Sequence, residues 1–447
     1  MSHPCWPAAA CALAILAGAA LADNLPPAPS ELGQIRRNEQ GRLEVARPPV
    51  IPPPETTLIP DAAAAGKAGG QRQADDRKPA PAATSGRTLV VGPHEALRSI
   101  GEAARLARDG DTVEIRSGEY RQQAVVWPQG RLTIRGVGQR PLLLADGASA
   151  EGKALWLVRN GQVSIENLEF RGTRSAAGNG VGIRFERGHL RVVRCAFFDN
   201  ESAIVTGDSS EAVLEVEDST FGAAPRHAAA LHPRLAAGTI ARLSVRGSHF
   251  EQGSHGPRIR SRARASLILY NLIVEGAGAG ASSLLDFPQG GVAWVIGNVI
   301  GRQATTADGE LIAYGAEGGH PGADHALYLA HNTLLDDAPG GRFLRVWSER
   351  LPPATEVWTI NNLLVGDGVF ASQGRGRHAG NEVVERSLLV GPPGLAFALP
   401  QSSPLRGQAQ TPGFAREHSL TPTAEFRLPA GTVALSAGKP LSPGARQ

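Results

Sequence analysis

The chain has little with which to cross-link itself or to bind a transition metal. Cysteine occurs 3 times, at Cys5, Cys11 and Cys195, and the first two sit near the start. A disulfide framework is therefore excluded, and no Cys or His spacing matches a zinc site. Aromatic residues make up only 5%, and lysine is confined to Lys67, Lys78, Lys153 and Lys439, so arginine carries nearly all the positive charge. A net charge of +3 is too small to mark a nucleic-acid-binding surface. Glycine-rich phosphate loops and the nucleophile elbow of hydrolases are missing as well. After residue 22 no apolar run is long enough to span a membrane as a helix.

What the chain has in quantity is turn formers, with Gly 54 and Pro 33 in 447 residues. Residues 1–22 read as a secretory signal, because the apolar stretch AAACALAILAGAALA ends in the small residues Ala20-Leu21-Ala22. Cleavage before Asp23 predicts an exported protein, periplasmic or secreted, that keeps Cys195 alone as a small buried apolar residue. Residues 23–86 are Pro-, Ala- and Gln-rich and too polar to offset chain entropy, which predicts a disordered tether.

From Val163 onward one pattern returns nine times: VSIENLEF, LRVVRCAF, LEVEDSTF, LSVRGSHF, LILYNLIV, WVIGNVI, YLAHNTLL, WTINNLLV and VVERSLLV. Copies begin 24 residues apart at the closest (Leu190 to Leu214) and 34 at the widest (Trp294 to Tyr328). Within a copy apolar residues alternate with period two, so the repeated unit is built from strands. Stacked strand units of this length predict an all-β right-handed parallel β-helix, a single solenoid of about ten to twelve coils over residues 87–395. The bend between two strands needs left-handed backbone, which favours Asn, Asp and Gly. Asn167, Asp218, Gly247, Asn271, Asn298, Asn332 and Asn362 stand there, with Arg194 and Ser387 as exceptions. Such a ladder is structural.

At the amino end ALRSIGEAARLARDG reads as an amphipathic helix with Leu97, Ile100, Ala104 and Ala107 on one face, placed to cap the first coil. DGDTVEIRSGEY follows, and its Gly-Asp turn, strand and Gly-x-Tyr ending resemble the opening coil of pectin-lyase-like proteins. That resemblance implies the fold more than any activity. Residues 396–447 form a Pro-rich tail expected to pack back on the last coils.

The candidate chemistry is concentrated in residues 248–291. His249 and His255 lie close to Arg258, Arg260, Arg262 and Arg264, whose spacing of two would put four guanidinium groups on one face of a strand. A row of forked donors suits the carboxylates or sulfates of a sugar chain. RIRSRARASLILYNLI also resembles a strand of the chondroitinase B and alginate lyase family, whose catalytic base is a lysine followed by serine before an asparagine turn. Arg260-Ser261 and Asn271 match that motif. Phe287, Gly290 and Asn298 match the next coil, where Pro288 replaces the family's arginine. GPRIRSRA, SSLLDFPQGG and Tyr314-Gly315-Ala316-Glu317-Gly318 further resemble segments of uncharacterised secreted bacterial β-helix proteins.

The resemblance implies an acidic polysaccharide partner and β-elimination, which needs a base and positive charge for the developing dianion. Arg260, His255 and Tyr270 are the catalytic candidates; Arg258, Arg262, His249, Tyr314 and Gln289 are the substrate-binding ones. No cofactor is required. If Asp286, Glu310 and Glu317 gather, they form either a calcium site or ion pairs to the arginines. The competing expectation is a non-catalytic binding or scaffold protein. In either case the chain is expected to be a monomer, with no nucleic-acid partner and no membrane span. The mimicry of pectin hydrolases in Ser254-His255-Gly256 and Arg258-Ile259-Arg260 is accidental, and Asp336-Asp337 reads as a turn.

Overall fold

The computed structural model describes residues 86–225, 232–251, 256–275, 283–302, 309–338, 340–371, 375–391 and 397–447, plus the backbone of Ile35–Arg37 and Leu43–Val45. The expected signal segment and His255 lie outside the described residues. So does most of the expected tether, of which the two short strands pair antiparallel.

The described chain is a parallel β-solenoid. Three parallel sheets of 12, 11 and 10 strands run its length, and each complete coil gives one strand to each. Sheet I runs from Thr88–Val91 to His378–Ala379, and sheet II from Glu119–Arg121 to Glu382–Val384. Sheet III runs from Val125–Trp127 to Val369–Ala371. Each strand bonds to its counterparts one coil away, as Gln162–Glu166 does to Arg131–Val137 and His189–Val193. Matching residues therefore stack about 4.8 Å apart in files along the axis. Inside sheet II, Phe170, Phe197, Phe221 and Phe250 form one such file, with ring centroids 5.2, 5.1 and 4.2 Å apart and near-parallel planes.

The corner between sheets I and II separates two roles that the sequence pattern had merged. The left-handed position is filled by Asn167, Arg194, Asp218, Gly247, Tyr270, Gly297, His331, Asn361 and Gly380. The ladder lies one residue later, where Ser219, Ser248, Asn271, Asn298, Asn332, Asn362 and Asn381 each accept the backbone N–H of the preceding rung. Cys195 opens this file, fully buried, with its thiol pushed up to about 12 by burial. The ninth sequence copy is displaced: Val383 belongs to sheet II, opposite Leu364, and the last corner is Gly380-Asn381 rather than Ser387.

Helix Ile100–Leu106 is shorter than expected and is N-capped by Ser99, whose hydroxyl accepts from Glu102 N. It buries Ile100, Ala103 and Ala104, and Gln129 donates to the carbonyls of Ala104 and Ala107 at its end. At the other terminus, hairpins Phe414–Ala415/His418–Ser419 and Ala424–Phe426/Thr432–Ala434 carry the tail back along the solenoid. Ala415, Leu420 and Ala424 cover Tyr270, Trp294 and Tyr328 on the outside of sheet I. Phe397, Leu399, Phe426 and Ala445 cover Leu272, Val299, Leu335 and Leu363 on sheet II. Among the described residues no helix is long and apolar enough to cross a membrane.

Candidate functional site

Over the C-terminal coils the tail's apolar clusters lie on sheets I and II, and sheet III there keeps Arg260, Arg262 and Arg345 on its outer surface. Its strand registers align Ala236, Arg260, Asp286, Ala313 and Arg345 in one outward file. Ile259, Leu285, Ile312 and Leu344 point into the core from the neighbouring positions, as period two requires. A second file follows each strand, made by Arg262, Pro288, Gly315 and Trp347, linked by Gly315 N to Phe287 O and Trp347 N to Tyr314 O.

Two ion pairs tie coils together on this face, the first across one coil and the second across two. Arg260 Nε donates to Asp286 Oδ2 at 2.7 Å. Arg262 grips Glu317 with both ends of its fork, at 2.9 and 2.5 Å. Burial pushes the Asp286 carboxyl above its usual range, although Arg260 opposes the shift. The Arg262 bonds hold Glu317 below the carboxylate range, and the same contact raises Arg262. Gly290 and Gly291, both left-handed, turn the chain beside Gln289, and Gly291 N donates to His325 Nδ1 at 3.0 Å.

The expected row of four arginines does not form. Arg258 precedes the strand, at the corner between sheets II and III, and is 0% exposed. Its Nη1 donates to Gly256 O, its Nη2 lies 3.7 Å from Glu275 Oε1, and burial lowers its pKa to about 10. Residue parity governs faces only inside a strand, and Arg258 lies outside it. Arg260 and Arg262 remain on the surface, each 30% exposed at the side chain. Arg264 reaches back to Ser210 O.

The aromatic and histidine candidates fall elsewhere. Tyr270 occupies the sheet I–II corner, 6% exposed, and its hydroxyl accepts from Thr423 N in the tail at 3.0 Å. His249 packs against Phe426, and burial lowers its pKa. Tyr314 points into the core, where its hydroxyl donates to Gly291 O and burial raises its pKa. Gln289 alone lies beside the pairs, where after Arg262 and Arg260 it helps to hold Glu317 below the carboxylate range.

Asp286, Glu310 and Glu317 do not gather around one point. Among the described residues no group of three or more His, Cys, Asp or Glu side chains is placed to hold a metal ion. Two of the three are instead engaged by Arg260 and Arg262. Asp336 is no simple turn residue: it is fully buried and bidentate to Arg302.

The sequence pattern did not single out Arg345 and Trp347. Arg345 is exposed, and its guanidinium lies 4.4 Å from the centroid of the half-buried Trp347 ring. No carboxylate pairs with Arg345 within salt-bridge distance among the described residues, although it and Arg342 partly offset the effect of burial on Glu310. Between Asp286 and Arg345 the outward file carries only the methyl group of Ala313, and between Pro288 and Trp347 only Gly315. Both rungs are buried, and the side chain of Leu351 lies over Gly315.

The fold defines an all-β parallel solenoid. No protein-family model matches the chain, and no curated protein does. Among solved structures it is similar to ORF18 of Geobacillus virus E2, at 9% identity and a TM-score of 0.27. The match covers 62% of this chain and 53% of that one, so this chain spans about half the length of that protein.

Proposed function

We propose that the protein binds an acidic polysaccharide along the open flank of sheet III, between Arg260 and Trp347. The observation that carries this reading is the division of the surface over the C-terminal coils: there the tail's apolar clusters cover sheets I and II, while sheet III keeps Arg260, Arg262 and Arg345 at the surface. Fork-shaped donors held in place by carboxylates on the following coils suit a repeating anionic chain, because little side-chain entropy is lost on binding. Binding is favoured over β-elimination by the state of the catalytic candidates among the described residues. Arg260 is engaged by Asp286 and Tyr270 by the tail.

On this reading the coils are right-handed and pectin-lyase-like, with helix Ile100–Leu106 as their cap. The protein acts as a monomer after export to the periplasm or beyond. The test is affinity electrophoresis of the full chain through gels containing polygalacturonate, alginate or hyaluronan. Absorbance of unsaturated sugar ends is followed in parallel solutions. Retardation that Arg260→Gln and Arg262→Gln each weaken by roughly tenfold supports binding at this flank. Unretarded migration through every gel removes the reading, and rising absorbance lost in Arg260→Gln makes the protein a lyase.

A further inference from the structure

We infer that Arg345 and Trp347 form a subsite for one uronate residue of the bound chain, with Arg345 as the group that recognises the carboxylate. This rests on the reading of sheet III as the binding flank and extends it to a site that the arginine motif does not include.

The geometry sets Arg345 apart from the other surface arginines of the flank. Arg260 and Arg262 already hold carboxylates of the protein, so an incoming anion has to share or displace Asp286 or Glu317. Arg345 has no such competitor within salt-bridge distance among the described residues, and it is exposed. Its guanidinium is nevertheless held in place, 4.4 Å over the Trp347 ring. A cation fixed by an aromatic face loses little freedom when it takes an anion, and its fork fits the two oxygens of a carboxylate.

The surroundings define the size and kind of ligand. Arg260 and Arg345 are three coils apart in one file, about 14 Å at about 4.8 Å per coil. Between them Ala313 is buried beneath its neighbours and the side chain of Leu351 lies over Gly315, so no charged group of either file stands in the middle of that span. The Arg260–Asp286 and Arg262–Glu317 pairs bound it on one side, Arg345 and Trp347 on the other. A pyranose lying against the exposed part of the indole presents an apolar ring face to it. In a uronate the carboxylate is bonded directly to that ring, which brings it to a guanidinium held over the same indole. A neutral sugar leaves Arg345 without a partner.

The test uses the full chain and whichever panel polymer retards the wild-type protein, alongside the same polymer with its carboxylates reduced to alcohols. Arg345→Gln and Trp347→Ala are compared with Arg98→Gln, which removes one exposed charge far from the flank. Each thermal midpoint is recorded to exclude misfolding. Each flank variant is expected to weaken binding by roughly tenfold, with Arg98→Gln unchanged. Arg345→Gln should also lose most of the preference for the carboxylated polymer over the reduced one. Wild-type binding that both flank variants retain in full overturns the subsite and leaves the wider reading intact. No binding by the wild-type protein removes both.

Discussion

Asn298 Oδ1 accepts two hydrogen bonds from the same neighbour, one from Asn271 N and one from Asn271 Nδ2, each 2.9 Å long. Asn332 and Asn362 repeat the arrangement one coil further on each time. Each amide also returns a hydrogen to a strand carbonyl, Ile268 O in the case of Asn298. The corner is fully buried there, so an interrupted rung strands donors where water does not reach. Asn298→Ala should therefore destabilise the solenoid by roughly 3–5 kcal/mol. Asn298→Ser should cost about half of that, because a hydroxyl can still take the backbone N–H, as Ser219 and Ser248 do. Urea midpoints of the two variants check the order. Equal midpoints for wild type and Asn298→Ala would mean that the ladder carries no stability.

A second prediction concerns Arg302 and Asp336, paired at 2.8 Å through both oxygens and almost completely buried. Removing the carboxylate alone, with Asp336→Ala, leaves a buried guanidinium uncompensated and should cost roughly 3–5 kcal/mol. Replacing both partners, Arg302→Met with Asp336→Leu, should recover most of that loss, since two apolar groups need no compensation. The double-mutant cycle from denaturant unfolding gives the coupling directly. Additive losses in the cycle would show that the pair acts only as packing.

Most of the fold was legible because the residues that specify it recur in register. Leu190, Leu214 and Leu243 announce sheet I, and Phe197, Phe221 and Phe250 announce sheet II. The displaced ninth copy shows the limit of that signal. The last sheet I strand, His378–Ala379, has little apolar content, and VVERSLLV imitates the pattern one sheet late. Sheet III was harder to read, because insertions of varying length precede its strands and its polar residues alternate with no fixed motif. A spacing of two puts Arg258 beside Arg260 at the surface, but Arg258 stands at the corner where the chain turns into the strand, and there parity no longer sets the face. Tyr270 reads as a cleft residue until the tail is placed over it. Trp294, Tyr328 and Trp358 do stack in register on the outside of sheet I, and that apolar file was the sequence signal that a cover was needed. For Arg345 and Trp347 there was no comparable signal, since Arg-x-Trp at a strand end fits packing equally well.

The last prediction follows from His331, which fastens the tail to the solenoid. Its Nδ1 lies 3.2 Å from Ser442 O, and its Nε2 3.0 Å from Asn361 Nδ2, so the neutral ring donates at the first nitrogen and accepts at the second. The ring is fully buried, and burial lowers its pKa from 6.5 to about 4. A proton binds the unfolded chain more tightly than the folded one. The contribution of His331 is therefore complete above about pH 6.5 and falls as the pH drops, until it is lost near the folded value of about 4. The change amounts to roughly 3 kcal/mol over that window. A protonated ring also faces the Asn361 amide donor instead of accepting from it, so the damage is local to the tail. Amide exchange should accelerate first in residues 440–447 as the pH falls from 6 towards 4, while the sheet II phenylalanine file stays protected. Asn361 fills the same left-handed position one coil on, so His331→Asn is compatible with the backbone and should flatten this pH dependence. If the tail of His331→Asn loosens over the same pH range as the wild type, the sensitivity lies in another group.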